Sequence, residues 1–193
     1  MVKRDKPFPL TNATAARQNE PMAALAITIL GLDPGLRHTG WGLIRQDGNH
    51  LSYIAAGCVS PQSDLSMAER LRELAENIAD VVRQYVPDEA AIEETFVNQN
   101  ALSALKLGQA RGAAILTLAQ AGLTVSEYAA NRIKQSVTGH GHADKAQIQA
   151  MIGMLLPGSG KLVTDAADAL AVAITHAHHR THAALAVRMA KAK

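Results

Sequence analysis

Aromatic residues are nearly missing from this 193-residue chain: two Phe, three Tyr and one Trp, 3% in all. The core has to be built from aliphatic and alanine side chains, and hydrophobic residues still make up 48% of the sequence. That length supports one domain with a proper core and few additions. A single cysteine, Cys58, excludes an internal disulfide and fits a reducing compartment. A small buried hydrophobe is the expectation for it. No apolar run approaches the ~18 residues of a membrane span. The opening MVKRDKPFPL is basic but no apolar stretch follows, so it does not read as a secretory signal, and the chain is expected in the cytoplasm. A strong charge of one sign is also lacking. The net charge is +2, yet residues 1–22 carry +2 and residues 180–193 carry +4, which puts the body at −4. A nucleic-acid binder is expected to show a basic face. Here that face has to be local, or be made by bound cations.

Residues 1–22 have little periodicity and contain Pro7, Pro9 and Pro21. They read as a disordered extension, with Met22 as an alternative start. Ile27–Leu32 reads as a buried strand that ends on Asp33, Pro34 and Gly35. Thr39–Gln46 and Leu51–Val59, joined by Asp47-Gly48-Asn49, read as a hairpin. Ser66–Tyr85 has helical spacing, with Ser66 and Glu69 as a capping box and Pro87 as the stop. Glu89–Val97 reads as a short strand, Asn100–Ala121 as a long helix with Gly122 at its end, and Leu123–Glu127 as a fifth strand. Asn131–Val137, Asp144–Leu156 and Thr164–His179 read as helices, with TGHGHA and PGSGK as loops. PGSGK lacks the spacing of a phosphate-binding loop. Hairpins first and strand–helix units later predict an α/β fold: a mixed five-stranded sheet, three antiparallel strands then parallel ones, with helices on both faces. The expected organisation is an extension over 1–22, one domain over 23–179 and a basic tail over 180–193.

Four carboxylates stand out. Asp33 sits at a strand's carboxyl end, where open α/β sheets place their ligands. Glu93 lies in AIEETF, on the fourth strand. Asp165 and Asp168 lie three residues apart on one face at the start of the last helix. The helix dipole accounts for Asp165 by itself, and a turn accounts for Asp33. Asp168 lies among Ala166, Ala167, Ala169, Leu170 and Ala171, a face that reads as buried, and a buried acid without a basic neighbour wants a cation. Acids brought together repel one another and retain protons unless a counter-ion is present. A hard divalent cation such as Mg²⁺ suits oxygen ligands and bridges to phosphate. Two such ions form the clamp used for in-line displacement at phosphorus.

ILGLDPGLRHTGWGLI, AIEETFVNQNALSALKLGQARG, EYAANRIKQSVTGHGHADK and TDAADALAVAITHAH together resemble the RuvC Holliday-junction resolvases. The resemblance runs from about Ile27 to His179, with the motifs in order. It implies a ribonuclease-H-like fold and a homodimer that binds four-way DNA junctions. Two strands of like polarity are then cut symmetrically, leaving 5′-phosphate and 3′-hydroxyl ends. It implies Mg²⁺, two per subunit, with Mn²⁺ as a substitute. The partners it implies are a junction-binding protein and a ring-shaped branch-migration ATPase. Carried over by motif, the catalytic and metal-holding acids are Asp33, Glu93, Asp165 and Asp168. Phe96 matches an aromatic that stacks on bases at the junction centre, and Lys134 and Lys145 match phosphate-contacting lysines, with Arg132 close by. The segments 1–22 and 180–193 have no counterpart role.

Other features have plainer readings. His176, His178, His179 and His182 have a spacing that suits a metal, but without cysteine partners they read as a partly solvated helix end. His140 and His142 are expected to face DNA beside Lys145. Gly108 and Gly112 allow a close helix contact, within a subunit or across a dimer. Two competing functions remain: an actin/Hsp70-like nucleotide-binding ATPase, which needs a second phosphate loop that is not visible here, and a catalytically silent junction-binding protein, which the full set of four acids argues against.

Overall fold

The computed structural model describes residues 26–94, 100–141 and 143–191, with side chains through His182. Strands β1 (Ile27–Asp33), β2 (Thr39–Asp47) and β3 (His50–Val59) form an antiparallel meander. Helix α1 (Met67–Tyr85) then returns the chain to β4 (Glu89–Glu93), which pairs parallel to β1, and α2 (Ala101–Gln120) leads to β5 (Val125–Tyr128), parallel to β4. The sheet order is β3-β2-β1-β4-β5, the mixed five-stranded arrangement expected from the pattern. Helices α3 (Ala130–Thr138), α4 (Lys145–Leu155) and α5 (Thr164–Lys191) complete the chain.

Alternation along the strands divides the core into two layers. Leu30 and Leu32 of β1, Leu43 of β2 and Ala90 and Ile92 of β4 pack against α1 and α2. Ile29, Ile44 and Ala91 point the other way, into the layer made with α3, α4 and α5. Period two therefore puts Asp33, Glu89 and Glu93 on the α5 side of the sheet. Apart from Asp168, Thr175 and His176, helix α5 is apolar over 166–177, as a helix largely enclosed by protein must be, and Leu170, Val172 and Ile174 are wholly buried. Burying each such side chain contributes about 1.5–3 kcal/mol. The missing aromatics are replaced by close approach. Gly31 and Gly42 carry no Cβ because α5 lies on them: a Cβ at Gly31 would be 2.2 Å from the Ala169 carbonyl oxygen, and one at Gly42 would be 2.6 Å from Leu170 Cγ.

The capping box at Ser66 and Glu69 forms, and Val86 closes α1 in a left-handed conformation with φ of 45° just before Pro87. Asp144 caps α4 in a second capping box, with Gln147. Three expectations are corrected. Strand β4 ends at Glu93 rather than Val97; residues 95–99 lie outside the described residues. Strand β5 runs Val125–Tyr128, one residue past the expected Glu127 and starting two residues later than Leu123. Helix α5 does not end at His179 but continues to Lys191, through the expected domain–tail boundary. Gln46 reaches across to the Ala177 carbonyl and the Thr181 hydroxyl, and Arg180 reaches Glu89, so the sheet holds the helix past that boundary.

Candidate active site

The parallel pairing of β1 and β4 aligns Leu32 with Ile92. Asp33 and Glu93 are therefore neighbours at the carboxyl ends of adjacent strands, on the same face. The other two acids arrive on α5. Gly40 pairs with Asp33 across β1 and β2, and a Cβ there would lie 1.9 Å from the Asp165 carbonyl oxygen. The absence of that one atom lets the first turn of α5 settle against the sheet beside Asp33. Asp165 and Asp168 then face the two strand-end acids. The four carboxylates found in sequence are thus brought together from three elements.

The electrostatics show how poorly the chain itself compensates them. Burial, then Glu93, Asp168 and Asp165, pushes Asp33 up to about 7, against a small opposing pull from Lys145. Glu93 is pushed up to about 6, by burial and then by Asp168, with Lys134 and Lys145 opposing. Burial also raises Asp168, and Lys145, with Nζ 3.8 Å from Asp168 Oδ2, lowers it in part. The donors facing one another are carboxylate oxygens, and the positive charge supplied by nearby lysines does not balance them. Such a donor set fits a hard divalent cation held by Asp33, Glu93, Asp165 and Asp168.

Of the expected DNA-contacting residues, Lys134 and Lys145 lie close enough to act on the acids. Arg132 does not join them. It is exposed and its Nε donates to His179 Nε2 at 2.9 Å. Phe96 and His142 lie outside the described residues. His140 is exposed, and its backbone N–H bonds to the Thr138 hydroxyl.

The four late histidines are partly solvated as expected, with His176 buried and His182 exposed, but they do not end the helix, because α5 continues past them. His176 is buried and links Tyr128 Oη, 2.8 Å from its Nδ1, to Glu89 Oε2, 2.7 Å from its Nε2. His178 meets the Ser136 hydroxyl at 3.1 Å, and His179 stacks on Tyr128. The polar atoms of His176, His178 and His179 are engaged between α5 and its neighbours.

Supports that sequence reasoning missed lie around the acids. Arg111, within ALKLGQARG, donates from Nε to the Glu93 carbonyl at 3.1 Å and pairs with Glu127. Arg70 of α1 donates to the Leu36 carbonyl at 2.9 Å, and the Thr39 hydroxyl donates to the Gly35 carbonyl at 2.6 Å. Both hold the loop after Asp33. Cys58 is half-buried rather than buried, and its Sγ lies 3.9 Å from Asp165 Oδ2. Only the motif context marks Arg111; nothing local in sequence marks Arg70 or Cys58.

A three-plus-two mixed sheet with acids gathered at the ends of its first and fourth strands and on its last helix defines the class: a ribonuclease-H-like protein. A yeast mitochondrial Holliday junction resolvase shares this fold, with a TM-score of 0.59 over 80% of this chain and 81% of its own, at 8% identity. Within that class the chain belongs to the family of the crossover junction endodeoxyribonuclease RuvC, whose model matches residues 29–176. It is 58% identical over 159 residues to the crossover junction endodeoxyribonuclease RuvC of Azorhizobium caulinodans, across 82% of this chain and 94% of the relative. It is 60% identical over 157 residues to that of Maricaulis maris, across 81% and 94%. A structure of T. thermophilus RuvC in complex with a Holliday junction substrate superposes with a TM-score of 0.76 at 29% identity, covering 81% of this chain and 96% of that one.

Proposed function

We infer that this chain resolves Holliday junctions by metal-dependent hydrolysis of phosphodiesters, and that Asp33, Glu93, Asp165 and Asp168 carry the chemistry. The single observation behind the assignment of residues is the set of mutually repelling carboxylates, with Asp33 pushed up to about 7 and Glu93 to about 6. A divalent cation held by these oxygens, Mg²⁺ in the first instance with Mn²⁺ as a substitute and two per subunit, supplies Lewis acidity toward the scissile phosphate and an acidified water. Asp33 and Glu93 are fixed by the sheet, and Arg111 holds the Glu93 backbone in place. Asp165 and Asp168 are fixed by the seat of α5 on Gly40 and Gly31. Lys145 and Lys134 offset part of the negative charge that an incoming phosphate meets, and they attract the DNA backbone around the cut.

The reading extends to a homodimer, because a junction with two-fold symmetry calls for two like sites. Helix α2 offers a face for it. Leu102, Leu105 and Leu116 are exposed, and Gly108 and Gly112 lie on the same stripe with open space beside them. A Leu105→Glu change is expected to shift the protein toward monomer in sedimentation and to uncouple the two cuts. Association with a junction-binding protein and a branch-migration ATPase belongs to the same reading and rests on the family alone.

The test is a synthetic four-way junction incubated with the protein and Mg²⁺. Paired, ligatable nicks are expected, abolished by a chelator and restored by excess Mg²⁺. Absence of cutting with Mg²⁺ or Mn²⁺ would overturn the reading.

A further inference from the structure

We propose that His38, Cys58 and Asp165 form a second cation site, chemically softer than the carboxylate cluster, through which Zn²⁺ captures Asp165 and inhibits cutting. The proposal rests on the reading of Asp165 as one of the four functional acids. The three residues come from three places: the loop after β1, the end of β3 and the first turn of α5. Their ligand atoms lie within 4.8 Å of one another, among the described residues. Cys58 Sγ is 3.9 Å from Asp165 Oδ2.

The chemistry separates this site from the carboxylate cluster. Four oxygens suit a hard cation, whereas one nitrogen, one sulfur and one oxygen suit Zn²⁺. Zinc takes its ligands at about 2.0–2.3 Å, so a tetrahedral site needs the three atoms to draw in by about an ångström. His38 is exposed and can swing to do so. Its Nδ1 is 2.8 Å from the Ser60 hydroxyl. The tautomer in which Nδ1–H donates there leaves Nε2 with its lone pair, the arrangement by which an outer oxygen orients a metal-binding imidazole. On binding, the Cys58 S–H bond breaks, its proton passes to solvent and the sulfur bonds the metal; no electrons are transferred. The fourth position is left to water. Asp165 cannot serve both sites with the same oxygens, and the thiolate and imidazole hold Zn²⁺ in a way Mg²⁺ cannot match. Zinc bound here therefore removes one ligand from the carboxylate cluster while leaving the protein folded.

The full-length protein is titrated first with Co²⁺, whose thiolate complexes show a charge-transfer band in the near ultraviolet. A band is expected at one equivalent, displaced by one equivalent of Zn²⁺, absent in Cys58→Ser and about tenfold weaker in affinity in His38→Ala and Asp165→Asn. Cutting of a four-way junction at fixed Mg²⁺ is then measured against Zn²⁺. The half-inhibiting Zn²⁺ concentration should rise at least about tenfold in Cys58→Ser and in His38→Ala. Circular dichroism confirms that each variant is folded. No band in the native protein, a band that survives Cys58→Ser, or identical zinc inhibition in native and variant proteins would each overturn the proposal. A protein that shows the band but cuts no junction with Mg²⁺ would overturn the resolvase reading and leave the soft-cation site supported.

Discussion

Glu89 and Glu93 open and close the same strand and face the same helix, yet the chain treats them in opposite ways. Glu89 takes Arg180 Nε at 2.8 Å and His176 Nε2 at 2.7 Å, and Arg180 also reaches Gln46. Its charge is answered from within the molecule. Glu93, four residues on, meets Asp33 and Asp168, and only Lys134 and Lys145 act against them. The two ends of β4 thus set an acid that the protein answers itself beside one that it leaves open. Burial does not decide it, since both are half-buried. What decides it is whether the protein supplies the counter-charge or leaves it to something that binds.

The sharpest way to break this contrast is to neutralise each acid in turn. Glu93→Gln, like Asp33→Asn, Asp165→Asn or Asp168→Asn, should lower junction cutting on the order of a thousandfold or more. Binding of the junction should be nearly untouched, because it rests on cation–phosphate contacts. Glu89→Gln should do the reverse. It breaks a partly buried charged network and should cost about 1–3 kcal/mol of stability, while the folded fraction cuts at the native rate. Single-turnover cleavage and urea unfolding, run on both variants, test the pair. If Glu93→Gln cuts normally, or Glu89→Gln abolishes cutting in folded protein, the distinction between the two ends fails.

The acids themselves were legible in sequence because their surroundings were. Asp33 follows an apolar strand at a Pro-Gly stop, and Asp168 interrupts an alanine-rich face. The fold class followed from the same local patterns, since each strand and helix carried its own period and stop signals. What stayed hidden was set by contacts distant in sequence. Helix α5 reads as ending near His179 because the polar Arg180, Thr181 and His182 follow, but Gln46 and Glu89 of the sheet hold it there, the latter through Arg180. His176 looked like part of a metal-spaced cluster, and its partners Tyr128 and Glu89 are 48 and 87 residues away. The proximity of Cys58 to Asp165, 107 residues apart, is likewise a product of the tertiary fold. Gly40 is the clearest case: its purpose is to have no Cβ where Asp165 arrives, and a strand glycine alone says only that something comes close.

The uncompensated end of the strand should also be visible in the pH dependence of stability without metal. Asp33 is pushed up to about 7 and Glu93 to about 6. Between the ordinary carboxylate range and these values the native state keeps protons that the unfolded chain has released. This contribution is fully present below pH about 4 and is lost as the pH rises through 6 and 7, at no more than about 1.4 kcal/mol per pH unit for each group. The metal-free protein should therefore show a Tm that falls on this account between pH 5 and pH 8. Asp33→Asn should flatten the fall and Glu89→Gln should not. Added Mg²⁺ should raise Tm more at pH 8 than at pH 5, because deprotonated acids bind it. A fall of the same size in native protein and in Asp33→Asn would assign the pH dependence to other groups.

The smallest expected effect concerns the lysines that partly answer the open end. The body of the chain carries −4, and a phosphodiester entering beside four acids is repelled. A bound cation acts on the scissile phosphate but does little for the flanking backbone, which lies beyond its immediate reach in a screened solvent. Lys145 is largely exposed, and its Nζ is 3.8 Å from Asp168 Oδ2, so it stands at the rim of the cluster with room to turn toward DNA. Lys134 acts on Glu93 and Asp168 from α3. Each lysine that neutralises a phosphate adds about 0.9 to the salt slope of binding. Lys134→Ala and Lys145→Ala should each flatten that slope by about one unit and weaken cutting at moderate salt. Arg132, turned onto His179, should change the slope less. Removing either lysine should also leave Glu93 and Asp168 harder to ionise, so a higher Mg²⁺ concentration should be needed for half-maximal cutting. Junction affinity over a salt series separates the two roles: an unchanged slope with a raised Mg²⁺ requirement would place the lysines as regulators of the acids alone, with the DNA backbone held elsewhere.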